Sequence, residues 1–286
     1  MPKAHNREGE QKVKPDPNRL PSGEYPDTST AAFTNTIPVV DSSTFPDFAS
    51  ENTLIRTERL PFTIRAVTAP PDLARVVNLR KFSYGRHLPE FSKRLEQPET
   101  DDTRDNTIIL LAESKFDRTA LATMRIHVNI GAPLPLEQAV SLPKRLQNQV
   151  LAEAVRLALV PGHEGHLPRD AIFKAFYLVC LALNVDWMVI CARHPLFKRY
   201  LGMYFEDVLE NKTMVPLPYA GNIPHRVLSF DVNNAEHLWR TGRQPLYNFV
   251  FKTYHPDIED FSVSCRDLAQ RISKTRTKQK TLALAY

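Results

Sequence analysis

The chain has 286 residues, 42% of them hydrophobic and 24% charged, a composition ordinary for a soluble globular protein with one large domain or two small ones. Its formal charge of +5 sits almost wholly between residues 266 and 280, where six Lys and Arg face only Asp267, and no helix-turn-helix, zinc-finger spacing or RNP-like motif accompanies that tail, which argues against nucleic-acid recognition. Three cysteines, Cys180, Cys191 and Cys265, exclude a disulfide framework, and no secretion leader or apolar run near ~18 residues is visible, so a cytoplasmic chain with no membrane span is expected.

Residues 1–55, rich in Pro, Asp, Ser, Thr and Asn and without apolar periodicity, are expected to form a disordered or extended arm, with 37–40 able to dock. The 23 prolines crowd there and in connections, which leaves a folded domain over 56–240 and a C-terminal extension with the basic tail over 241–286. The domain opens with a strand over 62–67 closed by Pro70 and Pro71. Asp72 is then expected to cap a helix through Leu73, Val76, Val77, Leu79 and Phe82, whose spacing has a helical period. A charged loop over 99–105 leads to two strands, 107–112 and 120–128, joined by the short polar link a hairpin requires. A helix around 136–140 precedes a strand over 151–160. There follow a loop over 161–168, a helix over 169–183, a buried strand over 186–192, a helix over 194–204, a returning strand over 226–232 and a short helix near 236–240. Strand, helix and parallel strand make a crossover, so the expected class is α/β: a mixed, mostly antiparallel sheet with helices on both faces.

No Walker loop, Rossmann glycine fingerprint or Gly-x-Ser-x-Gly elbow is present, and nine glycines leave little for phosphate cradles. His163 and His166 lie in a loop at a spacing unlike that of a zincin helix, so no metal is expected. Cys180 and Cys191 sit in apolar runs and read as core side chains rather than nucleophiles.

The informative feature is the strand over 151–160, where Glu153 and Arg156 interrupt an otherwise apolar run that reads as buried on both faces. Isolated charges there cost several kcal/mol unless they are paired or employed. Arg80 on the first helix, Asp102 and Asp105 in the acidic loop and Arg125 in the hairpin could join them in one cleft, three positive charges with three negative. Residues three apart alternate to opposite faces of a regular strand, so Glu153 and Arg156 share a face only if a bulge lies between them. Such a bulge would free backbone N–H groups.

These residues, in this order, resemble a known pattern. The order of elements is similar to the GNAT superfamily of N-acyltransferases, and the charged set resembles the long-chain N-acyl amino acid synthases and the acyl-homoserine-lactone autoinducer synthases. Carrying the resemblance are Leu79, Arg80 and Tyr84, then Asp102 and Asp105, then Arg125, then Glu153 and Arg156, over roughly residues 60–232. The tryptophan expected soon after the first-helix aromatic is missing, with Phe91 its nearest candidate. The paired glycines of an acetyl-coenzyme A loop are replaced by the 161–168 segment, which favours a carrier-protein thioester. The resemblance implies that the fourth and fifth strands splay and that a thioester-bearing pantetheine lies in the gap.

It further implies acyl transfer from an acyl carrier protein or coenzyme A thioester, a cosubstrate rather than a resident cofactor, to the amine of an amino acid or similar small amine. Glu153 is then the base, directly or through a water, with Arg125 and Arg156 orienting it and binding an acceptor carboxylate. Arg80, Asp102 and Asp105 hold the loop over the acceptor. Backbone N–H groups near Leu157 stabilise the oxyanion, and Leu159, Val160, His163, Gly165, His166 and Arg169 lie along the pantetheine and its phosphate. Phe173, Phe176, Tyr177, Trp187 and Met188 are available for an acyl pocket, and Arg193, Lys198 and Arg199 could dock an acidic carrier protein. Two alternatives stand beside this: an autoinducer synthase using S-adenosylmethionine, and a catalytically silent module that binds an acyl carrier or protein partner.

Overall fold

The computed structural model describes residues 55–160 and 166–283; the expected arm up to residue 54, and with it 37–40, lies outside the described residues, as do His163 and Gly165. After a two-residue strand β1 (Arg56–Thr57), the main sheet begins with β2 (Phe62–Ala66), in which Phe62 and Ile64 point into the core. Helix α1 (Pro70–Gly85) follows directly. It starts earlier than expected, because Pro70 and Pro71 occupy the first helical turn, where a missing N–H costs nothing. Asp72 is therefore not the cap: its carboxylate accepts two hydrogen bonds from Arg65, both 2.8 Å, and one from Arg75.

A short helix α2 (Pro89–Ser92) and two 3-10 turns, Lys93–Leu95 and Thr100–Thr103, lead to the hairpin β3 (Thr107–Ser114) and β4 (Ala120–Val128). Then come α3 (Pro135–Ala139), β5 (Leu151–Leu159), α4 (Leu167–Ala182), β6 (Trp187–Ala192) and α5 (Phe197–Gly202), all within a few residues of expectation. Strands β7 (Glu206–Asp207) and β8 (Met214–Leu217) were not anticipated, and both pair with β9 (Ile223–Asp231) along its edge opposite β6. Helix α6 (Ala235–Thr241), a π-helical turn Asn248–Lys252, β10 (Thr253–Tyr254), α7 (Phe261–Ser264) and α8 (Arg266–Ala283) complete the chain.

The sheet runs β2-β3-β4-β5-β6-β9-β7, with β8 added beside β9. Every pairing in it is antiparallel except β5 with β6, the crossover through α4. Helices cover both faces. Along β3, Ile109 and Leu111 pack with Val76 of α1, whereas the alternate residues Leu110 and Ala112 join the main core with Ile172, Phe176 and Val179 of α4. The segment past residue 241 belongs to that main core, to which it contributes Val250, Ile258, Phe261, Leu268 and Ile272. Leu268 and Ile272, four apart on α8, share one helix face, so the basic stretch begins on a packed helix.

Two irregularities in β5 set up the site. Its pairing with β4 passes from Arg125↔Val155 to Thr123↔Ala158, so Arg156 and Leu157 together oppose the single residue Met124. The bulge thus starts at Arg156 rather than lying between Glu153 and Arg156, and Arg156 takes φ 55° to make it. Meanwhile β5 pairs with β6 only from Leu151↔Trp187 to Ala154↔Ile190. Beyond Ala154 one strand continues along β4 and the other along β9, and the sheet opens between them. These are the fourth and fifth strands counted from Phe62, splayed as the resemblance implies.

Candidate active site

The opening between β5 and β6 holds a cavity of ≈ 290 Å³. Ala154, Leu157 and Leu159 line it from β5, and Ile190, Cys191 and Ala192 from β6. Tyr84, Leu88 and Phe91 close it on the α1 face of the sheet; Arg169 of α4 and Arg199 and Tyr200 of α5 line it too. Because α1 and α4 lie on opposite faces, the cavity reaches elements on both sides of the sheet. Tyr219, Ala220, Ile223 and His225 complete it from the turn between β8 and β9 and from β9 itself. Four arginines, Arg156, Arg169, Arg193 and Arg199, line the cavity, against two carboxylates just outside the lining, Glu99 on Arg156 and Asp170 on Arg169 and Arg199. Such a mouth favours an anionic ligand with an apolar body.

Helix α1 presents Arg80 and Tyr84 on one face, four residues apart, and Arg80 is 1% exposed. Its Nη1 donates to Asp102 Oδ1 at 2.7 Å, and Arg125 Nη1 donates to the same oxygen at 3.0 Å. Arg125 also reaches Glu99 at 3.1 Å and Asp101 at 3.6 Å. Arg156 makes a two-pronged contact with Glu99, Nε to Oε2 at 2.7 Å and Nη2 to Oε1 at 2.6 Å. The three expected arginines and Asp102 do come together, but Glu99 and Asp101 supply the remaining negative charge. Asp105 is exposed on the surface, with its backbone carbonyl accepting from Arg271, so the structure does not bring it to the cluster.

Glu99 is the residue that sequence reasoning missed, and a signal for it existed. The 3-10 turn over Thr100–Thr103 is closed by a capping box in which the Glu99 N–H donates to Asp102 Oδ2 at 2.9 Å. A Glu three residues before an Asp at such a turn places both carboxylates on one side. Burial pushes Glu99 up, but the hydrogen bond and charge of Arg156, helped by Arg125, outweigh it and hold the carboxyl below its usual range. Asp102 behaves the same way under Arg80 and Arg125. Arg80 Nε and Nη2 and Arg125 Nε are buried with no hydrogen-bond partner among the described residues.

Glu153 stands apart from this network. Arg125 and Arg156 do not orient it, because their guanidiniums are taken by Glu99 and Asp102. Glu153 is 0% exposed; Tyr219 Oη donates to its Oε1 at 2.7 Å and the Leu136 N–H to its Oε2 at 3.1 Å. Burial pushes its carboxyl up to about 7, against the pull of those two hydrogen bonds and of the Arg125 charge. Burial likewise pushes the Tyr219 hydroxyl and the Cys191 thiol well up. His127, directly across from Glu153 on β4, is pushed down to about 3 by burial and by Arg125, so its ring is neutral.

Phe91 is an aromatic of the site: the Arg156 guanidinium lies 5.0 Å from its ring centroid and the Tyr84 ring 5.6 Å from it. Leu157, Leu159 and Arg169 line the cavity, Val160 continues the pairing with β4 through its N–H to Leu121 at 2.9 Å, and His166 is exposed at the start of α4. Of the aromatics available for an acyl pocket, Phe173 borders a small adjoining cavity with Leu157, Arg169, Arg199 and Tyr200, and the others lie elsewhere. Phe173 stacks on Trp239 in the core with Phe176 edge-on to it, Tyr177 packs on Phe251, Met188 is core, and Trp187 faces Arg145. Arg199 is paired to Asp170 at 2.5 Å, and Lys198 is exposed beside it. Among the described residues no group of three or more His, Cys, Asp or Glu forms a metal site, and no helix is long and apolar enough to cross a membrane.

A mostly antiparallel sheet, helices on both faces, one parallel crossover and a gap at a bulged strand together define the GNAT acyltransferase fold. Among solved structures the chain is similar to FeeM, an N-acyl amino acid synthase from uncultured soil microbes, at 14% identity and a TM-score of 0.50, with 63% of this chain and 96% of FeeM covered. A second is BjaI, a coenzyme A-dependent acyl-homoserine lactone synthase, at 15% identity and a TM-score of 0.47, with 72% and 99% covered. No protein-family model and no curated protein matches the sequence.

Proposed function

We propose that the chain is an N-acyltransferase that moves an acyl group from the thioester of an acyl carrier protein or coenzyme A to the amine of an amino acid or similar small amine. The observation that carries this reading is the cavity between β5 and β6, where an open bulge, an arginine-lined mouth and a hydroxyl bonded to a buried carboxylate meet. FeeM, whose fold the chain shares, is an N-acyl amino acid synthase.

The chemistry follows from the parts. A thioester entering the gap lies beside Arg156 and Leu157, which have no one-to-one partners on β4, and the Leu157 N–H is the candidate donor to the oxyanion of the tetrahedral intermediate. The thiolate leaves readily, so no strong general acid is required. The amine must lose a proton, and Glu153 is the group that receives it. Arg169, at the start of α4, and Arg193 and Arg199, beside the end of β6, suit the phosphate of a pantetheine arm, and with Lys198 they form the surface an acidic carrier would meet. The acyl chain is assigned to the apolar lining of Leu88, Leu157, Leu159, Ile190, Leu196 and Ile223, in place of the core aromatics.

The test is incubation of the full chain with long-chain acyl carrier protein and acyl-coenzyme A, each against a panel of amino acids and S-adenosylmethionine, with mass spectrometry of the products. Amide formation with release of one thiol per amide supports the reading. A product only with S-adenosylmethionine would make the chain an autoinducer synthase. No amide and no thiol release under any pairing would leave a binding module and overturn the proposal.

A further inference from the structure

We propose that Tyr219 is the residue that touches the attacking amine, its hydroxyl taking the amine's proton while passing its own to Glu153. The inference rests on the acyl-transfer reading and assigns the route by which that reaction loses its proton.

Glu153 is 0% exposed and does not line the cavity, so its carboxylate cannot meet a substrate there. Tyr219 does line the cavity, and its hydroxyl lies 2.7 Å from Glu153 Oε1, the distance of a strong hydrogen bond to a charged acceptor. The other carboxylate oxygen is occupied by the Leu136 N–H. At the opposite end of the same residue, Arg156 Nη2 donates to the Tyr219 carbonyl at 2.9 Å. Glu153 and Arg156, three apart in sequence, therefore grip not each other but the two ends of one tyrosine. This ties the hairpin turn to the bulge, and no pairing of charges explains it.

The groups facing Glu153 are Tyr219, Cys191 on β6, Arg125 and His127 on β4, and Glu137 on α3. Cys191 Sγ is 3.4 Å from the Tyr219 hydroxyl, but burial raises its thiol, and His127 is neutral, so neither competes for the proton. A carboxyl poised near neutrality accepts and returns a proton readily. The Tyr219 hydroxyl, raised by burial and by Glu153, acts as a conduit rather than a resting phenolate. In the step, the amine nitrogen bonds to the thioester carbon. Its proton passes to Tyr219 Oη and the Tyr219 proton to Glu153, and the C–S bond breaks. The thiolate then takes a proton back by the same path or from solvent. Counted from the ammonium form of the acceptor, one proton is released per amide.

The experiment compares the full wild-type chain with Tyr219→Phe, Glu153→Gln and the double variant, following amide formation between pH 5.5 and 9. Corrected for the neutral-amine fraction of the acceptor, which falls about tenfold per unit for every variant over this range, wild type should slow roughly a further tenfold per unit below the pH where Glu153 protonates. Each single variant should lose roughly 100-fold or more in kcat with little change in the donor KM, and should lose that acid limb. The double variant should be no slower than the slower single one, since two groups on one path fail together. Multiplicative losses, or a Tyr219→Phe chain that keeps the wild-type rate and acid limb, would overturn the relay while leaving acyl transfer intact. Should Tyr219→Phe not fold, fluorotyrosine at 219, which keeps the shape and strengthens the hydrogen bond to Glu153, should move the acid limb to lower pH. An unmoved limb would overturn the relay. A wild-type chain that forms no amide overturns the acyl-transfer reading, and the relay with it.

Discussion

Glu153 is buried with a phenol and an amide as its hydrogen-bond donors among the described residues, so its charge state is coupled to folding. Its folded carboxyl, near 7, lies above the ordinary 4.5. Below 4.5 both folded and unfolded chains carry the proton. Between the two values only the unfolded chain releases it, so this group's contribution to stability falls as pH rises, by about 3 kcal/mol in all. Urea unfolding of Glu153→Gln at pH 4.5 and pH 8 should show that pH-dependent loss removed. A loss equal to that of the wild type would mean Glu153 ionises normally. The acidic loop gives a second contrast. Glu99→Ala leaves Arg156 buried without its carboxylate and should cost roughly 3 kcal/mol, while Asp105→Ala should stay within about 0.5 kcal/mol. Equal effects in denaturant unfolding would return Asp105 to the cluster. Arg125 and Arg156 were legible because a charge inside an apolar strand is rare. Of their partners Asp102 was legible, whereas Glu99 could be told from Asp105 only through the capping box that it forms with Asp102 at the 3-10 turn.

The bulge in β5 and the β8–β9 turn act as one device, joined through Arg156, Tyr219 and Phe91. Arg156 adopts a left-handed φ that a non-glycine residue rarely takes, held by its contacts to Glu99 and the Tyr219 carbonyl. Two residues past Tyr219, Gly221 has φ +74°, and a Cβ there would sit 3.1 Å from the Phe91 ring. Gly221→Ala should therefore cost on the order of 1–2 kcal/mol and displace the turn that carries Tyr219. Thermal unfolding reads the first effect and amide formation the second; a variant that keeps both stability and rate would show that the turn does not place Tyr219. The need for a bulge was legible from the three-residue spacing of Glu153 and Arg156, although its position was not. The turn itself was hidden by Pro216, Pro218 and Pro224, which break any strand pattern. Pro216 and Pro224 are tolerated because they pair with each other beyond the end of β6, whose ladder on β9 stops at Arg226.

Across the whole molecule, the core on the α4 face is finished by chain that the element pattern alone would assign to an appendage. The periodic strands and helices up to residue 240 read as a full domain, whereas 241–265 holds only a π-helical turn, a two-residue strand and a four-residue helix, none with a sequence signature. Yet Val250, Ile258, Phe261, Leu268 and Ile272 are all buried against that core, each burial stabilising by about 1.5–3 kcal/mol. Lys174 of α4 makes the dependence stronger. It is 4% exposed, with Nζ donating to the Phe249 and Thr253 carbonyls and lying 2.9 Å from His255 Nδ1, and burial pushes it down to about 8. Removing the segment would strip those acceptors from a buried amine as well as exposing the apolar face around it. A chain ending at residue 244 should thus lose stabilisation on the order of the whole 5–15 kcal/mol of a folded domain. It should show no cooperative thermal transition and no near-ultraviolet circular dichroism. If it unfolded cooperatively near the wild-type midpoint, the core on the α4 face would be complete without α7 and α8.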